Sequence, residues 1–154
     1  MIAVGIGIAQ MFGGVNSLPI ALDQWVSPTA VISICEPTNA ASLIDGNTVN
    51  SWQHAEVPPH EMVFDLGDRY LVSGARSYRS SQTGNYDVLH AWMYVSEDGV
   101  TWGDPVIDDG AIPDNGTGWM DYSPAPSPTP GRYVKMVLDG RNDTLVINEF
   151  EFLV

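Results

Sequence analysis

Two stretches of this chain carry side chains dense enough to do chemistry. Asp45-Gly-Asn-Thr-Val-Asn50 packs carboxylate, amide and carbonyl oxygens into one short turn, the hard-oxygen set that Ca2+ takes at a coordination of about six to eight. Asp45, Asn47 and Asn50 are its side-chain donors. An Asx-turn without metal uses the same residue types, so both readings stand at this point. The ligand pattern of an EF-hand is absent. Tyr78-Arg-Ser-Ser-Gln-Thr-Gly-Asn-Tyr86 sets a cation and an amide beside aromatic rings. A sugar ring needs such a mixture: an aromatic face for its apolar side and a few directional donors and acceptors for its hydroxyls. Tyr78, Arg79, Asn85 and Tyr86 supply it here, and His54, Trp119 and Tyr122 add to it from other connections. Arg79 is expected to donate to hydroxyls, Asn85 to donate and accept, and Tyr86 or Trp119 to stack. Pairing of Arg79 with a loop carboxylate such as Asp87 is the competing use.

Other reactive groups read more plainly. His54, His60 and His90 match no zinc-binding spacing, which argues against a transition-metal site. Cys35 is the single cysteine; it cannot bridge within the chain and reads as a small buried apolar side chain. Asp104, Asp108, Asp109, Asp114 and Asp121 read as a solvated surface. No Gly-x-Ser-x-Gly elbow, P-loop or dinucleotide fingerprint is present. Paired carboxylates for glycoside hydrolysis have no signature of their own, because the fold sets which two meet.

Charge narrows the partners. Six Lys+Arg against 19 Asp+Glu in 154 residues give a net charge of −13, and no basic run exists to displace phosphate counterions. Nucleic acid and an anionic lipid surface are disfavoured, which leaves neutral partners and cations. At this length one core buries roughly 68 to 70% of the surface of the unfolded chain, so a single domain needs no disulfide. Met1 to Leu22 holds no charged side chain. It lacks the basic start of a secretory signal, and Gly5, Gly7, Gly13 and Gly14 interrupt it before a membrane-spanning length. An Ile-Gly-Ile segment is poorly solvated when free, so residues 1–25 are expected to be an assembly segment buried against other protein subunits.

The elements that must position these residues are strands. Thr29 to Cys35, Glu61 to Leu66, Tyr70 to Tyr78, Val88 to Ser96, Arg132 to Leu138 and Thr144 to Val154 alternate or are β-branched, between Gly, Pro, Asn and Asp. Leu89, Ala91, Met93 and Val95 fall on one face and His90, Trp92 and Tyr94 on the other; Val134, Met136 and Leu138 fall together, as do Phe150, Phe152 and Val154. The run Ser123-Pro-Ala-Pro-Ser-Pro-Thr-Pro130 cannot pair as a central strand and reads as a stiff surface loop. Many short strands without helices predict a sandwich or barrel.

Four signatures occur in order: Ile44-Asp-Gly-Asn-Thr-Val-Asn-Ser-Trp52, Phe64-Asp-Leu-Gly67, Val95-Ser-Glu-Asp-Gly-Val-Thr-Trp102, and Arg132-Tyr-Val-Lys-Met136 leading to Ile147-Asn-Glu-Phe-Glu-Phe152. Their order and spacing resemble the discoidin, or coagulation-factor type C, domains, over about Thr29 to Val154. The segment from Tyr78 also resembles that family's Tyr-x-Pro-Arg loop, although Pro is missing and Arg79 follows directly. The resemblance implies an all-β, antiparallel jelly-roll sandwich of the galactose-binding type for residues 26–154. It implies a structural calcium held by the Asp45 loop and Glu149, with Asn50 standing where the family often has Thr. Trp52 reads as a buried anchor, the role that the resemblance also implies. The expected function is a non-catalytic module for a neutral glycan, at the extracellular face or a virion surface. Two alternatives remain: a purely structural subunit of a phage-like virion or other large assembly, and a glycosidase.

Overall fold

Alternation of apolar side chains builds two facing sheets in the computed structural model, which describes residues 18–55, 57–80, 88–111, 117–122, 125–140 and 144–154. Its strands are β1 (Trp25–Val26), β2 (Ala30–Ile34), β3 (Trp52–Ala55), β4 (His60–Val72), β5 (Gly74–Arg79), β6 (Val88–Ser96), β7 (Ile107–Ala111), β8 (Gly118–Asp121), β9 (Thr129–Gly140), β10 (Thr144–Ile147) and β11 (Glu149–Leu153). One sheet has the order β2-β4-β9-β6-β7, the other β1-β11-β5-β8, and β10 pairs with β3 separately. Every ladder between these strands is antiparallel. The architecture is an all-β antiparallel sandwich, one of the two forms that the strand pattern predicts and the jelly roll that the resemblance implies.

The core lies between the sheets. Phe64 sits opposite Val134, and Met62 opposite Met136; Met93 and Val95 continue the two rows on β6. The other sheet answers with Phe150 and Phe152, whose ring centroids lie 5.1 and 5.4 Å from that of Phe64. All of these side chains are buried, and burial of apolar surface is the main favourable contribution to folding.

Local irregularities account for the departures from the expected strands. Leu89 is only half-buried while Val88 is buried, because a register shift between Val88 and His90 reverses the alternation. Asp-Leu-Gly67 does not end a strand. Gly67, at φ 84°, sits in an irregularity through which β4 continues to Val72, so Tyr70 belongs to β4 and a new strand starts at Gly74. A Cβ at Gly67 would stand 2.7 Å from Thr29 Cγ2. The proline-rich stretch also contributes more than a loop. Pro130 pairs with Leu71, and β9 tolerates it because the β6 ladder begins only at Tyr133 opposite Ser96, leaving the strand one-sided at Pro130. Residues assigned to the assembly segment already join the sandwich: Ile20 exchanges backbone hydrogen bonds with Arg69 and Leu71, and Trp25 lies in β1. Residues 1–17 lie outside the described residues.

Asp65 ties the sheet where the chain bends. Its carboxylate accepts two 2.7 Å hydrogen bonds from the Arg132 guanidinium and one from the Gly67 N–H. Arg132, with that N–H, holds the Asp65 carboxyl below its usual range. Beside this pair, Gly131 lets two backbones approach. An added Cβ would lie 2.4 Å from Val95 Cγ1 and 2.8 Å from the Ser96 carbonyl oxygen, and the backbone cannot yield as a side-chain tip can. Gly131→Ala is therefore expected to lower stability by about 1 to 3 kcal/mol. Urea unfolding measures it, and a midpoint equal to that of the parent chain contradicts the close approach.

Candidate functional site

The oxygen-rich turn and Glu149 come together across 103 residues of sequence: the Gly46 N–H donates to Glu149 Oε2 at 3.0 Å. Asp45 Oδ1 accepts from the Asn47 N–H at 2.8 Å, Oδ2 accepts from the Asn50 amide at 2.9 Å, and Asn47 Oδ1 accepts from the Val49 N–H at 2.9 Å. The two bonds from backbone N–H groups are Asx-turn contacts. Glu149 differs, because it is 2% exposed and its Oε1 has no hydrogen-bond partner. Burial pushes its carboxyl up to about 7; the Gly46 N–H opposes the rise, and the Asp45 and Glu151 carboxylates add to it. A buried, orphaned carboxylate oxygen beside a second carboxylate and amide oxygens fits a hard cation. A cleft of about 440 Å3 lined in part by Asp45, Asn50 and Ser51 opens beside it.

Asn148 joins this loop to the sheet and was not singled out from sequence. It is fully buried. Its amide donates to the Asn50 carbonyl at 2.6 Å, its Oδ1 accepts from the Ser80 N–H at 2.8 Å, and its own N–H donates to the Tyr78 carbonyl at 2.9 Å. A polar residue inside the apolar run Val146-Ile147-Asn148 was the available signal, since a buried amide must find partners.

The residues expected to meet a sugar divide between surface and interior. Tyr78 and Trp119 are register partners and meet edge to face at 5.5 Å; Trp119 is 37% exposed. Arg76, two residues before Tyr78, lies between Trp25 and Trp119 with its Cζ 4.4 and 4.3 Å from the ring centroids, and its guanidinium donates to Glu151. Arg79 is a correction, being 2% exposed. The two-residue period that turns Arg76 and Tyr78 outward carries Ala75, Ser77 and Arg79 inward. Tyr122 is also interior, its hydroxyl 2.8 Å from Ser77 Oγ. Asn85, Tyr86 and Asp87 lie outside the described residues. Asp104, Asp108, Asp109 and Asp121 are exposed, while Asp114 lies outside the described residues.

His54 turns away from solvent as well. It is buried, with Nδ1 at 2.7 Å from His60 Nδ1 and 3.4 Å from Cys35 Sγ. Cys35 itself is exposed, not buried, because it follows the last residue of edge strand β2. Trp52 is the buried anchor: it has no exposed surface, and its Nε1–H donates to the Glu36 carbonyl at 2.7 Å.

The F5/8 type C domain family matches residues 30–150. A sialidase of Micromonospora viridifaciens is 34% identical over 77 residues, which are 46% of this chain and 12% of that protein, so the chain spans a small part of it. Among solved structures, the C-terminal domain of a chitobiase from Bacteroides fragilis is 21% identical at a TM-score of 0.65, covering 84% of this chain and 96% of that one. The family 32 carbohydrate-binding module of Clostridium perfringens NanJ, in complex with galactose, is 19% identical at a TM-score of 0.59, covering 84% and 90%.

Proposed function

This chain belongs to the F5/8 type C domain family, and from that premise we propose that it is a non-catalytic module for a neutral glycan, carrying a structural Ca2+ and acting outside the cell. The observation that carries the reading is the exposed Trp119 packed against Tyr78 where β5 ends and β8 begins. These strands border residues 81–87 and 112–116, so the aromatic pair stands where the Asn85 and Tyr86 segment departs. The part of the indole left open by Arg76 supplies the flat apolar surface that a sugar ring stacks on. Galactose in the Clostridium perfringens relative supports a neutral hexose, and the net charge of −13 disfavours an anionic one. Asp45, Asn47, Asn50 and Glu149 would hold the calcium, whose role is to neutralise Glu149 and stiffen the loop that Asn148 anchors.

A glycan array in calcium tests the reading, followed by titration of the hits. Trp119→Ala is expected to weaken binding about tenfold, equivalent to ~1.4 kcal/mol, with circular dichroism reporting that the chain remains folded. Asn85→Ala is expected to weaken it comparably. An array without hits favours a purely structural role, and turnover of chromogenic glycosides favours a glycosidase. A second reading, contact with other protein subunits, is favoured by Leu18, 87% exposed, followed by the exposed Ile20 and Leu22. Sedimentation of the chain beside a Leu18→Ser, Leu22→Ser variant tests that reading: the variant is expected to sediment as a smaller species, and equal sedimentation of the two contradicts it.

A further inference from the structure

Three residues that match no motif bring soft donor atoms to one point. Cys35 follows β2, His54 lies in β3, and His60 opens β4. The β2–β4 ladder pairs Ile34 with Met62, and the Cys35 N–H donates to the Glu61 carbonyl at 3.3 Å, which brings the thiol beside the start of β4. Sγ of Cys35 and one ring nitrogen of each histidine lie within 4.8 Å of one another.

The chemistry of the set differs from that of the oxygen-rich turn. One thiol and two imidazoles suit Zn2+ and reject Ca2+ or Mg2+. Tetrahedral bonds of about 2.3 Å to sulfur and 2.0–2.1 Å to nitrogen place S and N roughly 3.5 Å apart and two nitrogens roughly 3.3 Å apart. The Cys35 to His54 distance, 3.4 Å, already fits. The two Nδ1 atoms, 2.7 Å apart, are at the distance of a shared proton, so one ring donates and the other accepts; exchanging that proton for a cation asks them to part by about 0.6 Å. Trp52 walls the pair, its ring centroid 5.8 Å from that of His54 and 6.5 Å from that of His60. It restricts how the imidazoles turn, and such preorganisation strengthens a metal site. Both histidines are buried, whereas Cys35 reaches solvent, so a water can enter as the fourth ligand.

We infer that Cys35, His54 and His60 form a zinc site, separate from the calcium loop, that pins the ends of β2, β3 and β4 together. This reverses the expectation drawn from histidine spacing, and it stands whether or not the domain binds glycans. The test uses the full chain, stripped of metal and kept reduced. Zn2+ is titrated against a chromophoric chelator, and Co2+ serves as the spectroscopic substitute. One equivalent is expected to bind, with a thiolate-to-cobalt charge-transfer band in the near ultraviolet. Cys35→Ser, at an exposed position, is expected to keep the fold, abolish the band and weaken zinc on the order of 100-fold. Asp45→Ala is expected to leave both unchanged. Absence of the band, or zinc affinity unaltered in Cys35→Ser, overturns the proposal. His54→Gln checks it from the imidazole side, with circular dichroism reporting that the chain remains folded.

Discussion

Calcium added to the chelated chain is expected to raise its melting midpoint by roughly 5 to 10 °C once the ion is about 100-fold above its dissociation constant. Binding to the native state alone adds about 2.7 kcal/mol under those conditions, and a domain of this size shifts by roughly 2 to 4 °C per kcal/mol. The increment depends on pH, and Glu149 sets the sign. Its folded-state value of about 7 lies above the ordinary 4.5. Without metal, the stability tied to its neutral form is therefore fully present below about pH 4.5 and is lost as pH rises through 7. Calcium favours the carboxylate, so the gain from calcium grows between pH 5 and 8. Glu149→Gln, neutral throughout, is expected to flatten the slope in the chelated protein and to reduce the calcium shift. Scanning calorimetry across that range decides the matter. A midpoint indifferent to EDTA at pH 7.5, together with an Asp45→Ala variant as stable as a surface substitution, would sink the calcium reading.

Trp52→Ala is expected to cost about 3 to 5 kcal/mol, a large share of the 5 to 15 kcal/mol that holds a typical domain folded. The indole has no exposed surface, and its N–H satisfies the Glu36 carbonyl. Removing it leaves a cavity, an unpaired carbonyl and two histidines without their wall. Trp52→Phe keeps much of the packing and loses the hydrogen bond, so its cost is expected to fall between that of alanine and zero. Urea midpoints rank the three proteins. A stable Trp52→Ala chain that had lost glycan affinity would instead make this residue a sugar platform.

What was legible in the sequence was whatever a strand encodes within its own length. The alternation of Val134, Met136 and Leu138, and of Phe150, Phe152 and Val154, became two buried rows, because a period of two fixes which face each side chain takes. The same rule applied to β5 would have turned Arg79 inward; reading Tyr78 to Tyr86 as one loop hid that Arg79 is the last residue of a strand. Leu89 escaped the pattern because a bulge, which leaves no mark in composition, shifted its parity. Contacts between distant segments were the hardest to see. Asp65 with Arg132 is separated by 67 residues, and Cys35 with His54 by 19; sheet pairing, not local spacing, joins each. The Asp45 loop was readable because most of its oxygens lie within six consecutive residues, whereas its link to Glu149 came from the resemblance rather than from local chemistry.

The order of strands bears on how this protein behaves in crowded solution. The two larger sheets end in strands poorly suited to recruiting a neighbour: β1 has two residues and β8 four, while β2 and β7 are each joined to the sheet through a shifted register. Among the described residues, backbone groups at these borders offer no long, flat template on which another chain could add a strand, the usual route to fibrils. Thirteen net negative charges further keep copies apart at low salt. Many molecules can therefore be held close together, on a surface or in a concentrated sample, without their sheets fusing.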